Sequence, residues 1–314
     1  MSFSAIRVLL GIALSIIATS CSHNANDVTC PVARDVAPVT LDMEPVTADS
    51  HPTFRQITRC NWTHSLYHPA WSPDGTRIAY GANYTNLLRH QIYTIRIGER
   101  EPVMVADFGN FSAYEPAWSP DGTRIACAIL SYSIAQIAVH DLTTGQHFVL
   151  PLGSAKVRHP DWTTDGKIVY QHYRPSTLFT INVADMSGTS VQLIDNPAFD
   201  PDINPDGDIV FHSSRGGNLN IWMLRSGETE PIQLTDSPAD EVEPAWSPDG
   251  RRIAYQSGAD GCQDVWIMNA DGSHQRQLTH FPGRDRHPTW SPDGRRIAFV
   301  SERSGRDEIW VATF

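Results

Sequence analysis

The sequence predicts an all-β fold, a six-bladed β-propeller of four-stranded antiparallel blades, and three observations predict it. The phrase His68-Pro-Ala-Trp-Ser-Pro-Asp-Gly-Thr-Arg-Ile-Ala-Tyr80 returns at Glu115 to Cys127, Glu243 to Tyr255 and His287 to Phe299, with degraded copies at His159 to Tyr170 and Asp200 to Phe211. The tryptophan position of these copies falls at Trp71, Trp118, Trp162, Ile203, Trp246 and Trp290, at intervals of 47, 44, 41, 43 and 44 residues. A period of about 40–45 residues is that of one four-stranded propeller blade. Each copy also alternates short apolar runs with turn residues, as strands joined by tight turns require.

Blade five shows the elements in order. Pro244 to Ser247 reads as the inner strand, and Ser-Pro-Asp-Gly supplies the turn. Its proline presets φ and its glycine tolerates a left-handed backbone. Arg252 to Gln256, Asp264 to Asn269 and Arg276 to Thr279 follow as the second, third and outer strands. Blade six stops short, because after Ile297 to Val300 and Glu308 to Thr313 the sequence ends at Phe314. Phe54-Arg-Gln-Ile-Thr-Arg59 mirrors Gln275-Arg-Gln-Leu-Thr-His280, so residues 53–59 are expected to supply the outer strand of blade six. Such closure removes the edges that an open array would expose.

Repeats centred on Trp-Ser-Pro-Asp-Gly resemble the PD40 repeats of the TolB-like propeller family, over nearly all of residues 51–314. The resemblance implies a six-bladed propeller. Family members of this shape include periplasmic partners of peptidoglycan-associated lipoproteins, non-catalytic propellers of prolyl-oligopeptidase-type peptidases, and pectin-fragment lyases. Full TolB proteins carry an α/β domain before the propeller for which this chain has no room, so partnership with the Tol machinery is not implied.

The sequence divides into a signal peptide at 1–20, a tether at 21–50 and the propeller at 51–314. Val8 to Ile17 is apolar behind Arg7, about half the length that a bilayer-spanning helix needs. Ile17-Ala18-Thr19-Ser20-Cys21 resembles a bacterial lipobox, which makes Cys21 the expected lipid attachment point and ties the mature chain to a membrane surface. Pro31, Pro38 and Pro45, without sustained periodicity, mark the tether. Export permits disulfides, and pairing among Cys30, Cys60, Cys127 and Cys262 is left open, with Cys30–Cys60 conceivable. Cys127 stands where other repeats carry Tyr or Phe and reads as a buried apolar residue. A net charge of −11 argues against nucleic acid as the partner.

One position per repeat is polar but changes identity. The residue before the repeat's first proline is His68, Glu115, His159, Asp200, Glu243 and His287 in turn. If the inner strands start at one height, these six ring the mouth of the central channel as candidate ligand-binding residues. His68, His159 and His287 are the candidates for holding a divalent metal ion, the possible cofactor, since imidazoles with carboxylates suit such ions. The plain alternative is hydrogen bonding to a neighbouring blade.

Loops on the same face extend the candidate surface: Gly81 to His90 with Tyr84, Leu87, Leu88, Arg89 and His90; then His172, Tyr173, Arg174, His212, Arg215, Arg303 and Arg306. Together they suggest a pocket for an anionic or sugar-like ligand. The repeated tryptophans read as packing between blades. Asp74, Asp121, Asp165, Asp206, Asp249 and Asp293 read as turn residues on the opposite face that bond their own backbone.

These features favour a monomeric binding or scaffold protein over an enzyme, with a protein or oligosaccharide partner in the cell envelope. The alternative is a metal-assisted lyase acting on acidic oligosaccharides at the channel mouth. No Gly-x-Ser-x-Gly nucleophile elbow supports a serine hydrolase.

Overall fold

The computed structural model describes residues 52–59, 65–84, 89–131, 134–153, 156–174, 178–195, 197–258 and 263–314. The expected signal peptide and tether, Cys21, Cys30, Cys60 and Cys262, and Leu87 and Leu88 of the first loop, lie outside these residues. So does the side chain of Arg174.

Among the described residues, six four-stranded antiparallel sheets form the propeller, each running outward from an inner strand. The inner strands are Leu66–Trp71, Ser112–Trp118, Lys156–Trp162, Phe199–Ile203, Glu241–Trp246 and Asp285–Trp290. The last blade is split as expected. Thr53–Gln56 pairs with Glu308–Thr313, Thr53 opposite Thr313 and Gln56 opposite Trp310. Just beyond it, Ile57 donates to the Ile309 carbonyl at 2.8 Å, and the Thr58 hydroxyl donates to Glu308 at 2.5 Å while accepting from the Ile309 amide. Thr279 does the same for Asp264 and the Val265 amide, which explains the mirrored Gln-x-Thr sequences.

Packing follows the repeat. Second-strand residues Tyr80, Cys127, Tyr170, Phe211, Tyr255 and Phe299 are all buried, and Cys127 is a free thiol in an aromatic's place. Burial pushes that thiol's pKa well up, which makes it a poor nucleophile. Trp71, Trp162, Trp246 and Trp290 are buried and Trp118 half-buried, as packing between blades demands. Trp162 donates its indole N–H to the Ala117 carbonyl of the preceding blade at 3.1 Å. Arg124 lies 4.9 Å over Trp162, and Arg296 4.5 Å over Trp71 across the closure. On the far face, Asp121 accepts from the Ser119 hydroxyl at 2.6 Å and the Thr123 amide at 3.0 Å, the local turn bonding read from the sequence.

Each inner strand carries one defect. The register slips between Tyr67 and Ala70, and again at the same place in all six blades. Proline has no N–H to offer a ladder, so the strand bulges there. The residue before it takes a positive φ, between 48° and 56° at His68, Glu115, His159, Asp200, Glu243 and His287.

Candidate functional site

The bulges decide what faces the channel. A bulge re-aims its side chain, and here six re-aimed side chains converge. His68, Glu115, His159, Asp200, Glu243 and His287 all line one cavity of about 260 Å³, so the ring expected from the sequence is assembled.

Its members are not equivalent. The His159 imidazole nitrogen Nε2 stands 2.8 Å from Asp200 Oδ1 and 3.3 Å from Glu115 Oε1. His287 Nδ1 stands 2.6 Å from Glu243 Oε2. Carboxylates also reach across blades to backbone: Glu115 accepts from the His159 amide at 2.8 Å and Glu243 from the His287 amide at 3.1 Å. The plain alternative of bonding between blades therefore holds for these two acids. His68 is different. Its ring lies 3.8 Å from that of His287 and 5.5 Å from that of His159, and its Nδ1 is buried without a hydrogen-bond partner.

The electrostatics follow. Burial, reinforced by neighbouring His287, drives the His68 pKa down to about 3, so it is a neutral imidazole with a lone pair to offer. Burial alone would raise Glu115, but Arg158, His159 and His68 overcome it and hold that carboxyl at about 2. Burial likewise opposes ionisation of Glu243 and Asp200. Both are nevertheless held low, Glu243 at about 2 by His287 and Asp200 mainly by His159. For His159, burial is outweighed by Asp200 and Glu115, which raise it. The ring is thus acceptor-rich, with three ionised carboxylates around one neutral histidine.

Among the described residues, two sets of ligand atoms come within 4.8 Å of one another, His68–Glu243–His287 and His68–Glu115–His159, and they share His68. All three histidine candidates belong to one or both. Neutral imidazole and carboxylate donors fit a divalent transition ion.

Several residues have no clear signal in the repeat pattern. Arg158, next to His159, pairs with Glu115. Asp161 and Asp202 line the same cavity one step deeper, where other blades have Ala70, Ala117, Ala245 and Thr289. Asp161 accepts from the Ile203 amide at 3.0 Å, and Asp202 from the Trp246 amide at 2.7 Å. Burial pushes Asp161 up to about 6, and burial with the Asp161 charge pushes Asp202 well above the usual carboxylate range. The one available signal for these two acids is the change from Pro-Ala to Pro-Asp in the two degraded repeats.

The loop face is only partly as expected. His90 accepts or donates with the Tyr114 hydroxyl at 2.8 Å, and Tyr67 packs edge-on against both at the rim. His212 stacks on Phe199 and faces Asp200 at 3.6 Å, which joins it to the ring. Lys156 lies over Tyr173. Tyr84 turns inward, its ring 4.7 Å from Tyr93. Arg303 is no pocket cation: its side chain is 6% exposed and bound to Asp285 at 2.7 Å. Arg215 is tied to Asp195 at 3.1 Å.

Comparison with known proteins agrees with this architecture. Residues 201–314 match the family described as the Tricorn protease N-terminal beta propeller domain. The chain is 29% identical over 131 residues to the Tol-Pal system protein TolB of Francisella tularensis subsp. mediasiatica, covering 40% of this chain and 28% of that protein. The match therefore spans less than a third of that relative's length. The structure of a putative TolB from Agrobacterium tumefaciens matches with a TM-score of 0.63 at 25% identity, covering 79% of this chain and 90% of that one. An oligogalacturonate lyase in complex with manganese matches with a TM-score of 0.57 at 14% identity, covering 84% and 97%, and shares the fold alone. Fold and ring define a six-bladed propeller with a polar central channel. More narrowly, the chain is similar to TolB proteins over the stretches matched.

Proposed function

We propose that this protein is an exported, cell-envelope binding or scaffold protein that seats a partner's polar groups, from a protein or an oligosaccharide, in the channel mouth. One observation carries the reading: six left-handed residues, three with imidazoles and three with carboxylates, converge on one cavity. A non-glycine residue at positive φ costs about 1–2 kcal/mol, and strain of this kind clusters at functional sites. Packing alone would be served by one repeated residue, whereas here only the position repeats. Likeness to TolB proteins, and the apolar stretch Val8 to Ile17 with the lipobox-like residues up to Cys21, support an envelope location, with Cys21 as the lipid anchor.

The test compares wild type with a His68→Ala, Glu243→Gln double variant in capture from envelope extracts and on an array of envelope oligosaccharides. A partner retained at least tenfold less by the variant is expected. Equal retention of every partner would overturn the reading. Cys21→Ser should release the protein from membranes, and persistent attachment would refute the anchor.

A metal-assisted lyase acting on acidic oligosaccharides is the second reading, and the two histidine–carboxylate sets sharing His68 favour it. His68, Glu243 and His287 would hold the ion, which would polarise a sugar carboxylate and acidify the neighbouring C–H bond. Stoichiometric metal that copurifies with wild type and is lost from His68→Ala is the expected result. Wild-type protein that takes up no metal on equilibration with zinc or manganese would sink it.

A further inference from the structure

The channel cavity holds a second, deeper pair of acids on adjacent blades. Asp161 and Asp202 line it two residues beyond His159 and Asp200. Within the ring every carboxylate has a basic partner: Glu115 has Arg158, Asp200 has His159 and Glu243 has His287. The deeper pair has none. Asp161 meets the amides of Trp162 and Ile203 at 2.8 and 3.0 Å, and Asp202 meets that of Trp246 at 2.7 Å through Oδ2 alone. The charge that Asp202 does face is Asp161, which repels it. No Lys or Arg stands among the described residues that line the cavity. Two acids so placed are costly to ionise, and a positive group from outside the fold would relieve them.

The rest of the lining says which positive group fits. His68 Nδ1, buried and without a hydrogen-bond partner, belongs to the same cavity, so the protein leaves its polar lining incompletely satisfied. Beneath the ring the walls are apolar: the first proline of every repeat, then Trp71, Trp118 and Trp290. Pro73, exposed in its Ser-Pro-Asp-Gly turn, lines the cavity too, so the cavity reaches the turn face.

A calcium ion suits this lining poorly. It takes about six to eight oxygen ligands, whereas both oxygens of Asp161 and one of Asp202 already hold amides. An ammonium group asks only for a few acceptors around its N–H donors. Its alkyl stem packs on apolar walls, and indole faces attract the charge.

We infer that the deep part of the channel is a site for a primary alkylammonium group that enters from the turn face. Asp161 and Asp202 seat the ammonium, and the prolines and tryptophans hold the stem. A partner's lysine side chain and a free amine both present this chemistry. The inference rests on the cavity of the proposed binding site, but neither aspartate belongs to its six-residue ring.

The experiment titrates the full chain with n-butylamine hydrochloride, n-butanol and ammonium chloride, the last two lacking the charge and the stem in turn. Tryptophan fluorescence reports binding, because three indoles line the cavity. Saturable binding of butylammonium, at least tenfold tighter than either control, is expected. Equal affinity for butanol would remove the counter-charge and equal affinity for ammonium the stem, and either result overturns the site. An Asp161→Asn, Asp202→Asn double variant should lose at least tenfold in affinity, and undiminished binding would also overturn it. The controls on wild type decide the matter even if the double variant folds poorly. Nα-acetyl-lysine amide and putrescine tell the sources apart: tighter binding of the first marks a polypeptide partner, of the second a free amine. If butylamine fails to bind while envelope capture still depends on His68 and Glu243, this inference falls and the proposed function stands.

Discussion

Two rings cross this propeller, one residue per blade in each, and they obey opposite rules. At one end the Ser-Pro-Asp-Gly turns keep their chemistry: Asp74, Asp121, Asp249 and Asp293 each accept from a serine hydroxyl two residues back, and glycine takes the positive φ. At the other end the pre-proline positions keep their conformation and change their chemistry, and non-glycine residues take the positive φ. Constant identity at constant position maintains a fold. Constant conformation with varied identity presents a surface. A glycine in the first ring and a histidine in the second solve the same backbone problem, but only the histidine adds a group that can bind.

The division breaks first at Glu115. This carboxylate is in the binding ring, yet its side chain is 3% exposed and it is bound to Arg158 and to the His159 amide. Removing one partner of a buried pair costs about 3–5 kcal/mol, less where the other partner can reach water. Arg158 is 31% exposed, so Glu115→Ala should cost about 2–3 kcal/mol in chemical denaturation. Asp121→Ala, in the supposedly structural ring, should cost only about 1 kcal/mol, since exposed turn hydrogen bonds are replaced by water. Similar costs for the two would mean that Glu115 belongs wholly to the binding surface.

A pH effect sharpens the same boundary one step deeper. Asp161, pushed up to about 6 by burial, is easier to protonate folded than unfolded, where its pKa is near 3.8. Its favourable contribution is therefore complete below pH 3.8 and is lost as pH rises through about 6. Glu115 and Glu243 act in the reverse sense: held at about 2, they stabilise above 4.5 and lose that contribution as pH falls towards 2. Asp161→Asn should match wild type at pH 4 and exceed it by about 2 kcal/mol at pH 8, since each tenfold change in proton affinity is worth about 1.4 kcal/mol. A stability difference that does not change between pH 4 and 8 would show that Asp161 titrates normally.

The fold is legible in the sequence because its signals are local and repeated. Period, turn chemistry and the Gln-x-Thr match place the closing strand without any knowledge of contacts, with Thr53–Gln56 falling inside the expected 53–59. The ring is legible as a position because a proline marks it in every blade. Its internal pairing is not. Whether His68 stands alone or shares a carboxylate depends on side chains from different blades, some 40 residues apart in sequence, and no local pattern encodes that. The inner strands start earlier than the sequence suggests for a related reason: Glu241–Trp246 begins three residues before Pro244, since a proline looks like a strand boundary when it in fact marks a bulge. Arg303 departs from expectation because exposure of a loop arginine is a default that Asp285 and four aromatic rings override.

The smallest expected effect tests the comparison most directly, by exchanging the two solutions to the left-handed backbone. Gly122 has φ 69°, and a Cβ there would meet Pro73 at an unstrained 3.7 Å, so Gly122→Ala should cost about 1–2 kcal/mol from conformation alone. Ligand capture should be untouched. His68→Gly should do the opposite. At φ 48° glycine relieves strain of similar size, offset by the roughly 0.5–1 kcal/mol that a freer unfolded chain takes back and by lost contacts with His159 and His287. Its stability should stay within about 1 kcal/mol of wild type while capture of the channel ligand falls at least tenfold. If His68→Gly instead unfolds the protein as readily as Gly122→Ala does, the pre-proline ring is a structural device like the turns.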